Sequence, residues 1–215
     1  MATTTEKKIQ AVKSFKAGGR SYISHIMGGV VLNAGTTVYN QFFPGTYGSP
    51  GSYTNLLTNL SNMGKLGSQE CFEVLRYGFR ISKLTAGVAT PAQIQATTAF
   101  LNSSRFYFEI GDAGTRVLDI QLARFSSTIS AVANPTSATD NQAFGATIPI
   151  SNVAWLEIAA TTGKEPIEPN MNFSATLENN LYDGTNTGTP TGIGTTASPI
   201  FILNFLAEGI RTVKG

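Results

Sequence analysis

The chain has one cysteine and one histidine in 215 residues, and these two shortages exclude a good deal of chemistry. With Cys71 alone no intrachain disulfide can form, so the fold does not depend on oxidation. Cys71 itself reads as a small apolar residue at the start of a strand. With His25 alone, zinc sites built from His and Cys clusters and most Ser-His-Asp arrangements are lost, and His25 reads as structural or exposed. Charge is scarce as well: Asp, Glu, Lys and Arg make up 13% of the chain, about half the usual share. Such a surface gains little solubility from charge, which favours a chain that meets neighbours over a free monomeric enzyme. No apolar run approaches the ~18 residues that cross a bilayer. No apolar core follows the first lysines either, so the expectation is a protein made and used without classical export.

What charge there is lies unevenly. Residues 1–20 carry Lys7, Lys8, Lys13, Lys16 and Arg20 against Glu6, a balance of +4, and the remainder carries −2. A basic arm ahead of a near-neutral body points to an anionic surface, either nucleic acid or membrane. The plain alternative is a solvated tail. These five cations are the candidate contact residues, although no aromatic interleaving or Arg cluster marks sequence-specific binding. A helix over Glu6–Lys16 would put Ile9, Val12 and Phe15 on one side, and Gly18-Gly19 would end it. The arm is thus 1–20, and one domain follows over 21–215.

The body reads as strands. Cys71–Lys83 alternates from Leu75 onward, with Leu75, Tyr77, Phe79 and Ile81 on one side and Arg76, Gly78, Arg80 and Ser82 on the other. Phe72 and Val74 lie in the opposite phase, which predicts a bulge near Val74. A strand so long and aromatic belongs in the middle of a sheet. Tyr22–Val38 is expected as an extended or short-strand segment lying on the body, and Thr54–Met63 as one or two helical turns. Thr90-Pro91-Ala92-Gln93 predicts a capped helix from Pro91 to about Leu101. Arg105–Ile110 and Arg116–Leu122, separated by Gly111-Asp112-Ala113-Gly114, predict a hairpin. Residues 126–147 read as a long loop, Ile148–Ala159 as a strand and Gly163-Lys164 as a turn. Met171–Glu178 alternates as a strand, and Asn179–Ser198 is a long loop with little to bury. Pro199–Leu206, apolar on both faces, should be central, with Gly209–Val213 after it. Seven or eight strands, two short helices and no internal repeat predict an all-β antiparallel sandwich.

A search for catalytic motifs returns almost nothing. A phosphate loop around Gly163-Lys164 fails because Ile158 and Glu165 stand where Gly and Ser or Thr are needed. Gly192-Ile193-Gly194 lacks the third glycine of a dinucleotide loop. Glu165 and Glu168 straddle Pro166 and read as solvated loop carboxylates. Asp112 and Asp183 sit near glycines, where Asp suits turn geometry. Arg76 and Arg80 would pair across the sheet or, less favourably, with a neighbouring subunit. No enzyme activity, cofactor or metal is expected.

Three stretches together resemble the jelly-roll capsid proteins of tailless icosahedral viruses, above all bacteriophages with an internal lipid membrane. They are Asn62–Ile81, a turn leading into a long strand; Met171–Glu178 with Pro199–Val213, a closing pair around a loop; and the basic arm before the body. The resemblance implies a self-assembling, non-catalytic capsid subunit made in the host cytoplasm and housed in the virion. Its partners would be copies of itself, often as trimers, and other capsid proteins. The arm would face the internal viral membrane, the genome or neighbouring subunits. Major capsid proteins of that group often carry two jelly rolls per chain, whereas this length leaves comfortable room for one. A single-roll major protein, a minor or vertex protein and a compact double roll all stay open. The alternative is a carbohydrate- or receptor-binding β-sandwich using Tyr182, Asp183 and the surrounding Asn/Thr loop.

Overall fold

The structure is a computed structural model, and it describes residues 18–43, 57–60, 62–84, 89–111, 114–125, 153–157, 166–181, 188–195 and 198–214. The helix expected over Glu6–Lys16, the 126–147 loop and the Gly163-Lys164 turn lie outside them. Two antiparallel sheets face each other. Sheet A contains β1 (Arg20–Val31), β3 (Glu70–Lys83), β6 (Ala154–Glu157), β7 (Pro166–Ile167) and β9 (Phe201–Val213), and sheet B contains β2 (Val38–Tyr39), β4 (Ser104–Ile110), β5 (Thr115–Gln121) and β8 (Phe173–Asn179). The order across sheet A is β1-β9-β3-β6, with β7 also on β3, and across sheet B it is β2-β8-β4-β5.

β6 meets Arg76–Phe79 and β7 meets Phe72–Glu73, both on the edge of β3 away from β9. The two short strands therefore occupy one place in the sheet. Counted so, the chain order is 1-8-3-6 facing 2-7-4-5, in which consecutive strands change sheets except at the β4–β5 hairpin and the last returns beside the first. That is a jelly roll.

The long aromatic strand behaves as its alternation predicts. β3 is central, and its register against β9 shifts between Val74 and Arg76. Leu75 is the extra residue, half-exposed instead of facing inward with Tyr77 as expected. One inserted residue restores the phase, so Phe72 and Val74 before the bulge and Tyr77, Phe79 and Ile81 after it all point into one core. β9 is the other central strand. Its inner residues Phe201, Leu203, Phe205 and Ala207 join the core, while Ile202, Asn204 and Leu206 on its other face are also buried.

Between the sheets lies an aromatic layer. Phe205 packs 4.8 Å from Phe106 and 5.1 Å from Phe108, centroid to centroid, and Phe79 meets Phe106 edge-on at 4.9 Å. The helix α1 (Pro91–Asn102) starts on the expected capping box: Thr90 accepts from the Gln93 amide, and the Gln93 side chain accepts from the Thr90 amide. It buries Phe100 and Leu101. Below its end Asn179 is fully buried, its amide donating to the Phe100 carbonyl at 3.0 Å and to Ser104 Oγ at 2.7 Å. A buried amide so satisfied fixes where the helix meets sheet B.

Four expectations need correction. Tyr22–Val38 is extended over 22–31 as expected, but instead of a short strand lying on the body this part belongs to a long one within sheet A: Arg20–Val31 forms twelve residues, paired along its length with β9. Of the turns expected over Thr54–Met63, Leu57 is helical, and residues 54–56 and 61 lie outside the described residues. Past Leu57 the helical reading stops: Thr58 bridges Gly28 and Asn62 bridges Lys65. Pro166, expected in a loop, starts β7. The 179–198 loop has something to bury after all, because Thr189 and Ile193 are in the interior. Thr189 donates through Oγ1 to the Thr36 carbonyl at 2.8 Å, and a 3-10 turn at Thr191–Ile193 packs on α1.

Candidate functional site

Of the five candidate contact residues, Lys7, Lys8, Lys13 and Lys16 lie outside the described residues. Arg20 is the first residue of β1, exposed and opposite Val213. The basic segment therefore enters the fold at one end of the outermost strand of sheet A. Beside it, at the same sheet end, Arg211 pairs with Glu70 at 2.5 Å.

On the outer face of sheet A the two arginines of β3 have different surroundings. Arg76 reaches Glu208 of β9 at 2.7 Å and lies 4.2 Å from the Trp155 ring of β6. This is the cross-sheet pairing that its position on the strand predicts. Trp155 fits there because Gly78 has no side chain; a Cβ on Gly78 would lie 2.6 Å from the indole. Among the described residues the partner of Arg80 is neutral: it donates to Asn204 Oδ1 at 3.3 Å.

The outer face of sheet B carries a denser polar network that the sequence reading did not single out. Arg105 grips Asp119 with two hydrogen bonds of 2.8 and 2.7 Å, and Arg116 adds a third at 3.1 Å and also reaches Glu109. The Arg116 guanidinium lies 4.0 Å from the Tyr107 ring, and the Tyr107 hydroxyl donates to Glu178 at 2.9 Å. The Arg105 hydrogen bond, helped by Arg116, holds the Asp119 carboxyl below its ordinary value. The same contacts raise both arginines. Partial burial and then Glu178 push the Tyr107 hydroxyl up. The signal for this network was present in the alternation of Arg105, Tyr107 and Glu109 against Arg116 and Asp119, once the hairpin register is known. The groups satisfy one another, so within this network no acid or base is left poised for proton transfer.

Two cavities open beside the loop after β2. One of about 370 Å³ is lined by Asn40, Gln41, Phe43, Met63, Asn172 and Phe173, among others. The second, about 300 Å³, lies along Gly29–Val31, Asn33 and Val38–Gln41. Among the described residues neither is lined by a charged side chain. Tyr39, on the second, has its hydroxyl raised by burial and shares hydrogen bonds with Asn33 and Thr189. Among the described residues no group of three His, Cys, Asp or Glu side chains could hold a metal ion, and no helix is long and apolar enough to cross a membrane. Cys71 is buried and His25 exposed. Glu168 is half-buried beside β7, whereas Glu165, Asp112, Tyr182 and Asp183 lie outside the described residues.

No protein-family model matches the chain, and no curated protein is significantly similar to it.

Proposed function

We propose that this chain is a structural subunit of an icosahedral virion, a coat protein that assembles with copies of itself and performs no catalysis. The observation that carries the reading is the jelly-roll strand order, entered by a basic segment at the edge strand of sheet A. A fold alone does not assign a function, so the chemistry of the surface matters too. The charge content is 13%, the described residues that line the two cavities are uncharged, and the polar network of sheet B is closed on itself. In this reading Lys7, Lys8, Lys13, Lys16 and Arg20 contact an anionic surface, the internal viral membrane or the genome.

The test is the mass of the full-length protein by light scattering at low and high salt, with electron microscopy of any large species. Trimers or larger assemblies that close into shells are the expected result. A strict monomer at both salts, even when concentrated, would sink the reading and redirect the search to glycan screening. Removing residues 1–17, which leaves β1 intact, should abolish salt-sensitive association with anionic liposomes or DNA. Association that persists unchanged at about 1 M salt would exclude an electrostatic role for the arm.

A further inference from the structure

β1 ends sheet A, and among the described residues its outer edge is covered along only half its length. In the second half, Met27 donates to the Asn59 side chain at 2.8 Å, Gly29 donates to the Phe42 carbonyl at 2.6 Å, and Thr58 bridges Gly28. Asn59 also donates to the His25 carbonyl. These bonds show that odd-numbered residues of β1 direct their backbone groups away from β9. It follows that the N–H and C=O of Ser21 and Ile23, and the N–H of His25, line the open edge. Among the described residues nothing bonds to them. Tyr22 is 49% and Ile23 77% exposed. Folded proteins usually shield a sheet edge with charge, proline or a covering loop; among the described residues the cover here stops at His25.

The geometry points to this half-edge as an interface with a second copy of the same strand, paired antiparallel about Ile23. The inference rests on the self-assembly reading above and names the surface through which it occurs. Centred there, Ser21 faces His25 of the other copy in a hydrogen-bonded pair, as does Ile23 with its own equivalent, and Tyr22 faces Ser24. Arg20 falls opposite Ile26, so no like charges meet. The Ile23 groups of the two copies match each other and the His25 N–H meets the Ser21 carbonyl, while the Ser21 N–H shares the His25 carbonyl with Asn59. The exposed Ile23 side chains cover each other. Sheet A then continues across the two-fold axis into its partner. The mode is strand addition, with affinity from main-chain bonds. Five residue pairs make a weak contact alone, so avidity within the assembly would hold it.

Crosslinking reads the register directly. In a hydrogen-bonded antiparallel pair the Cα atoms lie about 5.5 Å apart, inside the roughly 4.4–6.8 Å that a disulfide spans. Ile23→Cys should therefore form a covalent dimer on mild oxidation. Ser21→Cys, also exposed but offset by four residues or about 14 Å from its equivalent, should not. The buried Cys71 supplies no competing thiol. Ile23→Pro removes an N–H that β9 does not use, so the strand should still fold while the assembly falls to lower mass. Absence of the Ile23→Cys dimer, equal crosslinking by Ser21→Cys, or an unchanged assembly mass for folded Ile23→Pro would each overturn the pairing. Shells that form unchanged with Ile23→Pro reject this interface and keep the virion reading. Crosslinked dimers that never build shells keep the interface and reject the virion reading.

Discussion

A Cβ built on Gly209 would overlap the carbonyl oxygen of Glu73 and touch the Phe72 ring. Gly209 pairs with Val74 at the last register position before the chain bulges at Leu75. The bulge draws the β3 backbone close to β9, and only a residue without a side chain admits that approach. Gly35 is the opposite case: its φ is +74° and nothing lies within 4 Å of where a Cβ would stand. Gly35→Ala then costs only the left-handed conformation, about 1 kcal/mol. Gly209→Ala must move main chain at the centre of the sheet and should cost about 2–3 kcal/mol. Urea midpoints of the two variants check this; equal midpoints would show that β9 shifts freely and that the bulge is not held by Gly209.

At the scale of elements, the β4–β5 hairpin is tied across its outer face by Asp119. Its carboxyl lies below its ordinary value of 3.8 because Arg105 and Arg116 hydrogen-bond the charged form. A depressed folded-state value contributes stability that is complete above the unfolded value and fades as pH falls through the folded one. Wild type should therefore lose stability on acidification below about pH 4, and Asp119→Asn should lose less over that window. Exposure of the pair keeps the effect small. Parallel slopes of melting temperature against pH for the two proteins would remove Asp119 from the account. The hairpin itself was legible because Phe106, Phe108 and Leu118 alternate around a glycine turn, and α1 was legible from Thr90, Pro91 and Gln93. β1 was not. Its first half is exposed on both faces, its second contains Gly28-Gly29, and no period of two shows through either. Gly28 and Gly29 are there for space: Phe43 and the Asn204 side chain occupy what their side chains would need. Likewise Thr189 looks like loop residue until its hydroxyl is seen bonding to Thr36.

For the whole molecule, what the sequence conveyed was which strands are central. Aromatic and two-faced apolar runs mark β3 and β9, and both sit where that pattern requires. Pairing order was not legible, since β1 finds β9 across most of the chain and no local signal encodes a contact that distant. The candidate contact residues were legible only as charge, because the spacing of the lysines carries no periodicity to place them. The two sheets are held together by rings more than by backbone, and Phe205 is the hub. It lies 5.7 Å from Tyr77 and 5.6 Å from Phe79 in its own sheet, and still closer to Phe106 and Phe108 in the other. Phe205→Ala should cost about 3–5 kcal/mol and lower the urea midpoint with an unchanged slope. Trp155, the one tryptophan in the chain, sits on β6 and reports on sheet A, whereas far-UV circular dichroism reports on both sheets. If one core serves both sheets, the two signals fall together in wild type and variant alike. Separate midpoints in the variant would mean that sheet B survives the loss of sheet A, and that the shared aromatic layer does not make the jelly roll a single cooperative unit.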